Sequence, residues 1–173
     1  MRLVGINLAP FENNATGIAT YEDGKIRTFS FYKNPDIMEV INRFKPEVVS
    51  IDAPLHVVNK QFRAAEKEMQ QLGYMMQPLN TYEMIERAKR ASSIRYAIEG
   101  VTTVIECHPD SAKKALKINS VKELKNVRFL NIVKNEHEEK AILAIITALF
   151  YKEGSYDMFG DEDEGYIILP KIS

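Results

Sequence analysis

A mixed α/β domain is what this sequence predicts: one five-stranded sheet in the order 3-2-1-4-5, flanked by helices. Three observations carry that prediction. Thr16–Glu22 and Lys25–Tyr32 alternate apolar and polar residues around Asp23-Gly24, the mark of a tight hairpin. Two β-branched runs, Glu47–Ile51 and Val101–Cys107, each stop abruptly at a polar group and a proline. Residues 136–151 are apolar nearly all round a helical wheel, as befits a helix laid across a sheet.

The elements follow in order. Arg2–Leu8 is a short apolar strand, and the hairpin supplies two more; Asp and Gly tolerate the positive φ that a two-residue primed turn demands. Pro35–Phe44 sets Ile37, Val40, Ile41 and Phe44 at helical spacing, and Glu47–Ile51 is a buried strand running into Asp52-Ala53-Pro54. Lys60–Leu72 reads as a helix stopped by Gly73, and Tyr82–Ile98 as a second one ended near Gly100. Val101–Cys107 is a strand, Ser111–Leu116 a short helix and Asn119–Asn135 a mixed charged stretch. Last come the helix 136–151, an acidic turn within Asp161–Pro170 and a short apolar strand, Tyr166–Leu169. A hairpin first and parallel crossovers later suit a mixed sheet with helices on both faces, and the ribonuclease-H-like arrangement is one such sheet. In open α/β sheets the site lies beyond the carboxyl ends of the parallel strands, where Asn7, Asp52 and Glu106 would converge.

The chain has 173 residues, 45% hydrophobic and 27% charged, which suits a single domain over 1–173. Its one cysteine, Cys107, excludes an internal disulfide and a cysteine zinc site, and it fits a reducing, cytoplasmic setting. The amino end lacks a signal-peptide pattern, and the longest apolar run, Ala141–Phe150, is far short of the roughly 20 residues that span a bilayer. No Walker loop or Gly-x-Gly-x-x-Gly motif is present. A net charge of −1 hides an uneven distribution: residues 60–134 carry 14 Lys/Arg against 8 Asp/Glu, and residues 135–173 carry 3 against 9. That pattern describes either solvated helical faces and an acidic surface turn, or a basic rim beside an acidic site.

Asp52 and Glu106 are the leading candidates for chemistry. Each stands at the end of a rigid strand, and oxygen ligands from separate rigid elements are what Mg²⁺ or Mn²⁺ needs when water and phosphate fill its other positions. The structural alternatives are a turn cap for Asp52 and an ion pair with His108 or an arginine for Glu106. Glu138 and Glu139 either favour the positive end of the last helix or complete the acidic cluster. His137 and Lys140 lie three apart on one face, continued by Ala141, Ala144 and Ala148, whose small side chains permit close approach to the sheet. Arg63, Arg87 and Arg90 could grip phosphate or simply face solvent. Cys107 reads as a strand residue rather than a nucleophile.

Five segments in order resemble the motifs of the domain-of-unknown-function 429 family. They are Val4-Gly5-Ile6-Asn7-Leu8-Ala9; Ile51-Asp52-Ala53-Pro54-Leu55; Arg63 with Glu66; Val104-Ile105-Glu106-Cys107-His108-Pro109; and the helix His137–Leu149 with the closing stretch Gly160–Pro170. The resemblance implies a predicted nuclease of ribonuclease-H-like fold. Two positions depart from the family pattern. Asn7 stands where the family has an acid, and Lys140 where it has Asp; two negative charges are lost and one positive charge is gained. The expectation is therefore a nuclease or phosphodiester hydrolase using Mg²⁺ or Mn²⁺ on Asp52 and Glu106. Glu138 or Glu139 would assist, and Asn7, Arg63, Arg87, His137 and Lys140 would meet the nucleic acid. The alternative is a catalytically inactive nucleic-acid-binding or interaction module, with Lys140 neutralising Asp52 and Glu106 in place of an ion. No membrane partner is expected.

Overall fold

A computed structural model describes residues 1–173. The chain forms β1 (Arg2–Asn7), β2 (Thr16–Glu22), β3 (Lys25–Phe31), α1 (Asn34–Phe44), β4 (Val48–Ile51), α2 (Ala64–Gln71) and α3 (Tyr82–Ile98). It continues with β5 (Thr103–Cys107), α4 (Pro109–Ala115), β6 (Arg128–Phe129), α5 (Glu136–Glu153), β7 (Tyr156–Asp161) and β8 (Gly165–Pro170). A 3₁₀ turn, Val121–Glu123, sits between α4 and β6.

All eight strands join one sheet in the order β6-β3-β2-β1-β4-β5-β8-β7. The predicted run 3-2-1-4-5 forms its centre: β1 is antiparallel to β2 and parallel to β4, and β4 is parallel to β5. The count corrects the five-strand expectation. β6 is a two-residue strand that pairs parallel to β3 inside the stretch read as mixed and charged. The closing segment is a hairpin, β7 against β8, attached to β5 through β8. Only Tyr166–Leu169 carried a visible strand pattern there; Tyr156–Asp161 holds two acids and Gly160, and it is pinned by its partner rather than by its own periodicity.

Local chemistry explains the boundaries. Asp23 and Gly24 both have positive φ, 49° and 79°, as the primed turn requires. Helix α3 starts where Thr81 caps the N–H of Met84, and α5 where Asn135 caps that of Glu138. The last helix ends at Gly154, left-handed at φ 74°. Helix α2 begins at Ala64 rather than Lys60, because Glu66 reaches back to the N–H of Arg63 at 3.0 Å and fixes the first turn there.

Helix α5 lies directly on β1 and β2. A Cβ on Gly5 would sit 2.2 Å from the carbonyl oxygen of Ala141, and one on Gly17 2.0 Å from that of His137. Only glycine permits that approach. Ala141, Ala144 and Ala148 are fully buried against the sheet, as their spacing predicted. The opposite face packs Val4, Ile6, Val49 and Ile51 against Ile37 and Ile41 of α1 and Ile94 and Ile98 of α3. The sheet is thus covered on both sides, and its exposed polar opportunity is the carboxyl edge of β1, β4 and β5.

Candidate functional site at the strand ends

Asn7, Asp52 and Glu106 meet at that edge, for β1, β4 and β5 are neighbours and Ile51 pairs with both Ile6 and Glu106. They border a cavity of about 660 Å³ that also takes in His108, His137, Lys140 and Arg87. Its outer wall comes from the segment carrying Met75, Met76, Leu79 and Met84.

The two acids stand in different surroundings. Glu106 is buried and bonded to Arg63, whose Nη1 donates to Oε2 at 3.0 Å and Nη2 to Oε1 at 2.6 Å. Arg63 is fully buried; its Nε donates to Glu66, also buried, at 3.0 and 3.1 Å, and its Nη1 reaches the Glu164 carbonyl at 3.3 Å. Two carboxylates share one guanidinium, so the cluster keeps an excess negative charge in the interior. Burial, with Glu66 and Asp52 nearby, pushes Glu106 up to about 7 against the pull of Arg63.

Asp52 is only partly buried and faces the cavity. The amide Nδ2 of Asn7 donates to its Oδ2 at 2.6 Å, and the Oδ1 of Asn7 meets Nδ1 of His137 at 3.1 Å. Loss of water raises the carboxyl above its ordinary range, while His108, Arg87 and Lys140 pull it back. Arg87 makes no ion pair: its Nη1 touches Met84 Sδ at 3.7 Å and its Nε has no partner. His108 caps α4, its Nδ1 lying 3.3 Å from the Ser111 N–H and 2.7 Å from Ser111 Oγ.

Several sequence expectations are corrected by this geometry. Arg63 does not face the cavity for a ligand; every arm of it is spent inside the protein. Glu138 turns to the other side of α5, where its Oε2 bonds Ser30 and Asn135. Glu139 reaches Lys113 on α4 at 3.4 Å, and neither acid borders the cavity. Lys140 does border it, but its Nζ pairs with Glu136 at 3.3 Å and Asp110 at 3.9 Å rather than with Asp52 or Glu106. Arg90 is buried and ties the Ala9 and Tyr32 carbonyls to Asn34. Cys107 is buried too, and burial pushes its thiol up, away from the nucleophilic form. His108 is a cavity residue that the sequence offered only as a partner for Glu106; the partner is Arg63, and His108 instead bonds Ser111 at the start of α4.

A divalent ion on Asp52 and Glu106 does not suit this donor set. Both Glu106 oxygens already accept from Arg63, one Asp52 oxygen accepts from Asn7, and no three His, Cys, Asp or Glu side chains are grouped to share an ion.

No described protein family matches the sequence, and neither does any curated protein. A solved structure of T. thermophilus RuvC, in complex with Holliday junction substrate, is similar in architecture. The two share 16% identity with a TM-score of 0.57, covering 89% of this chain and 97% of that one. The fold is ribonuclease-H-like. That ribonuclease-H-like frame accounts for the site's position, and no helix in it is long and apolar enough to cross a membrane.

Proposed function

We propose that this domain binds nucleic acid at the strand-end cavity through a phosphate, on a nuclease-type fold whose acidic pair no longer serves paired metal ions. One observation carries the reading, the division of charge at the strand ends. Arg63 holds both oxygens of Glu106, whereas Arg87 borders the same cavity with no carboxylate partner. An unpaired guanidinium presents two parallel donors to a phosphate. The junction substrate bound to the similar RuvC structure supports a nucleic-acid ligand. So does the order of the motifs that resemble the domain-of-unknown-function 429 family, since three of them contain Asn7, Asp52 and Glu106.

The chemistry available here without an ion is binding and orientation. Arg87 and Lys140 attract the phosphate, His108 and His137 offer hydrogen bonds at its flanks, and Asp52 orients His137 through Asn7. Fluorescence anisotropy with labelled RNA and DNA between about 50 and 200 mM salt tests this. Phosphate contacts release counterions, so affinity should fall steeply with salt, and Arg87→Ala should weaken binding and flatten the slope. No binding of any strand at low salt would sink the proposal.

Metal-assisted hydrolysis is the second reading, favoured by the neighbouring placement of Asp52 and Glu106 on paired strands. It requires that Mg²⁺ or Mn²⁺ stimulate strand cleavage and that Asp52→Ala abolish it. That result would replace the binding-only reading.

A further inference from the structure

Beyond phosphate, three features of the cavity converge on one ligand. The first is an apolar lip. Met75, Met76, Leu79 and Met84 all border the cavity from one segment, and Met75 is 92% exposed at its mouth. Scattered exposed apolar residues are ordinary, but a methionine cluster lining a pocket offers flat ligands a soft, polarisable surface, for sulfur packs well against aromatic rings. The second is the free guanidinium of Arg87, which follows Met84 by one helical turn on α3.

The third is a pair of histidines fixed in opposite tautomers. An ionised Asp52 offers only acceptors, so the Asn7 amide nitrogen must face it; the Asn7 carbonyl then faces His137 Nδ1, which must donate. In the neutral imidazole that leaves Nε2 of His137 as an acceptor with no protein partner. His108 is reversed. Its Nδ1 accepts from Ser111, so its Nε2 carries the proton and donates. One wall of the cavity therefore asks for a hydroxyl donor, while His108 and Arg87 ask for anionic oxygens.

We propose that the cavity takes one unpaired ribonucleotide of an RNA strand, the base against the methionine lip, the phosphate at Arg87 and His108, and the 2′-hydroxyl donating to His137. This rests on the phosphate-binding reading above and adds what lies on either side of the phosphate. A duplex hides the faces of its bases in stacking, and a deoxyribose lacks the hydroxyl. A cavity of about 660 Å³ falls within the range that encloses a single small ligand.

The test compares three labelled ligands by anisotropy, with a chelator present so that no metal contributes. They are a short single-stranded RNA, the deoxy strand of the same sequence, and the RNA annealed to its complement. The single-stranded RNA should bind about fivefold more tightly than the deoxy strand, the worth of one net hydrogen bond, and more tightly than the duplex. His137→Ala should bring the RNA down to the affinity of the deoxy strand. Met75→Ser, at an exposed position that folding does not need, should weaken single-stranded RNA about threefold. Equal affinity for RNA and deoxy strands, or a preference for the duplex, overturns the ribonucleotide assignment and leaves phosphate binding standing. Failure of all three ligands to bind at low salt overturns the phosphate reading itself.

Discussion

Two carboxylates end neighbouring strands of the same sheet, and they meet opposite fates. Glu106 borders the cavity but is buried and bonded through both oxygens to Arg63, which it shares with Glu66, and is spent on holding β5, α2 and the closing hairpin together. Asp52, on the next strand, opens onto a cavity with Arg87, His108 and Lys140 near enough to pull on its charge. Their sequence contexts look alike, an apolar strand, an acid and then a proline. What separates them is whether a cation from elsewhere in the fold bonds the carboxylate directly, so the comparison is a statement about Arg63.

The largest effect should come from removing that cation. Arg63→Ala leaves Glu66 and Glu106 buried without their shared partner, and breaking a buried ion pair costs about 3–5 kcal/mol. Denaturant titration should show a midpoint far below the parent's. Arg63→Ala with Glu106→Gln should recover much of the loss, because the uncompensated charge is then reduced. A change within about 1 kcal/mol for Arg63→Ala would mean that the sealed cluster is not sealed, and the contrast with Asp52 would collapse.

The same excess charge makes a pH prediction. Glu106 is raised from 4.5 to about 7, so between these values the folded protein holds a proton that the unfolded chain has lost. Its contribution is therefore most favourable below about 4.5 and is lost as pH rises to about 7, a slope opposite to that of an ordinary surface carboxylate. Thermal melts of the parent and of Glu106→Gln across this window should converge at its acidic end and separate toward neutrality, with the parent melting lower at pH 7 and above. Parallel curves would place the excess charge elsewhere.

A third test addresses the open side. Gly17 lies under the first turn of α5, where any Cβ would strike the His137 carbonyl. Gly17→Ala should cost about 1–3 kcal/mol, as overpacking does, and should move His137 away from Asn7. RNA affinity should fall with it, although Gly17 itself makes no cavity contact. A stable variant with unchanged affinity would show that the position of His137 is immaterial to the ligand.

The difference between the two acids was not legible in the sequence, and the reason is physical. Local order was readable: Asp23-Gly24 announced its turn, Tyr82–Ile98 its helix, and the β-branched runs the central strands, since each depends on residues a few positions apart. β6 and β7 were not, because their pairing partners rather than their own periodicity make them strands. Arg63 stood in a charged helical pattern, and nothing within a turn of it told that Glu106, 43 residues on, would close over its guanidinium. The fates of Glu138 and Glu139 could have been read. Successive helical residues step about 100° round the axis, so a face set by His137, Lys140 and Ala141 turns those two away from it. The resemblance drew attention to Asn7 and Lys140, but nothing in it said that Arg63 would bond Glu106 and do the neutralising expected of the lysine.

The smallest effect on stability, and the sharpest on interpretation, belongs to Lys140. Its ion pairs with Glu136 and Asp110 engage acids that are largely exposed, and pairs of that kind contribute less than about 1 kcal/mol. Lys140→Ala should therefore melt within a degree or two of the parent. If Lys140 acts on the ligand instead, its loss should weaken RNA and DNA alike and lower the salt slope by about one counterion, since a lysine on phosphate reads charge and not base. The two measurements together divide three possibilities. Unchanged melting with a reduced slope places Lys140 beside Arg87 on the phosphate. A marked drop in melting temperature shows that it stabilises the acidic edge after all, as Arg63 does for Glu106. No change in either assigns it to the solvated face of α5, and the open site then rests on Arg87 as its principal cation.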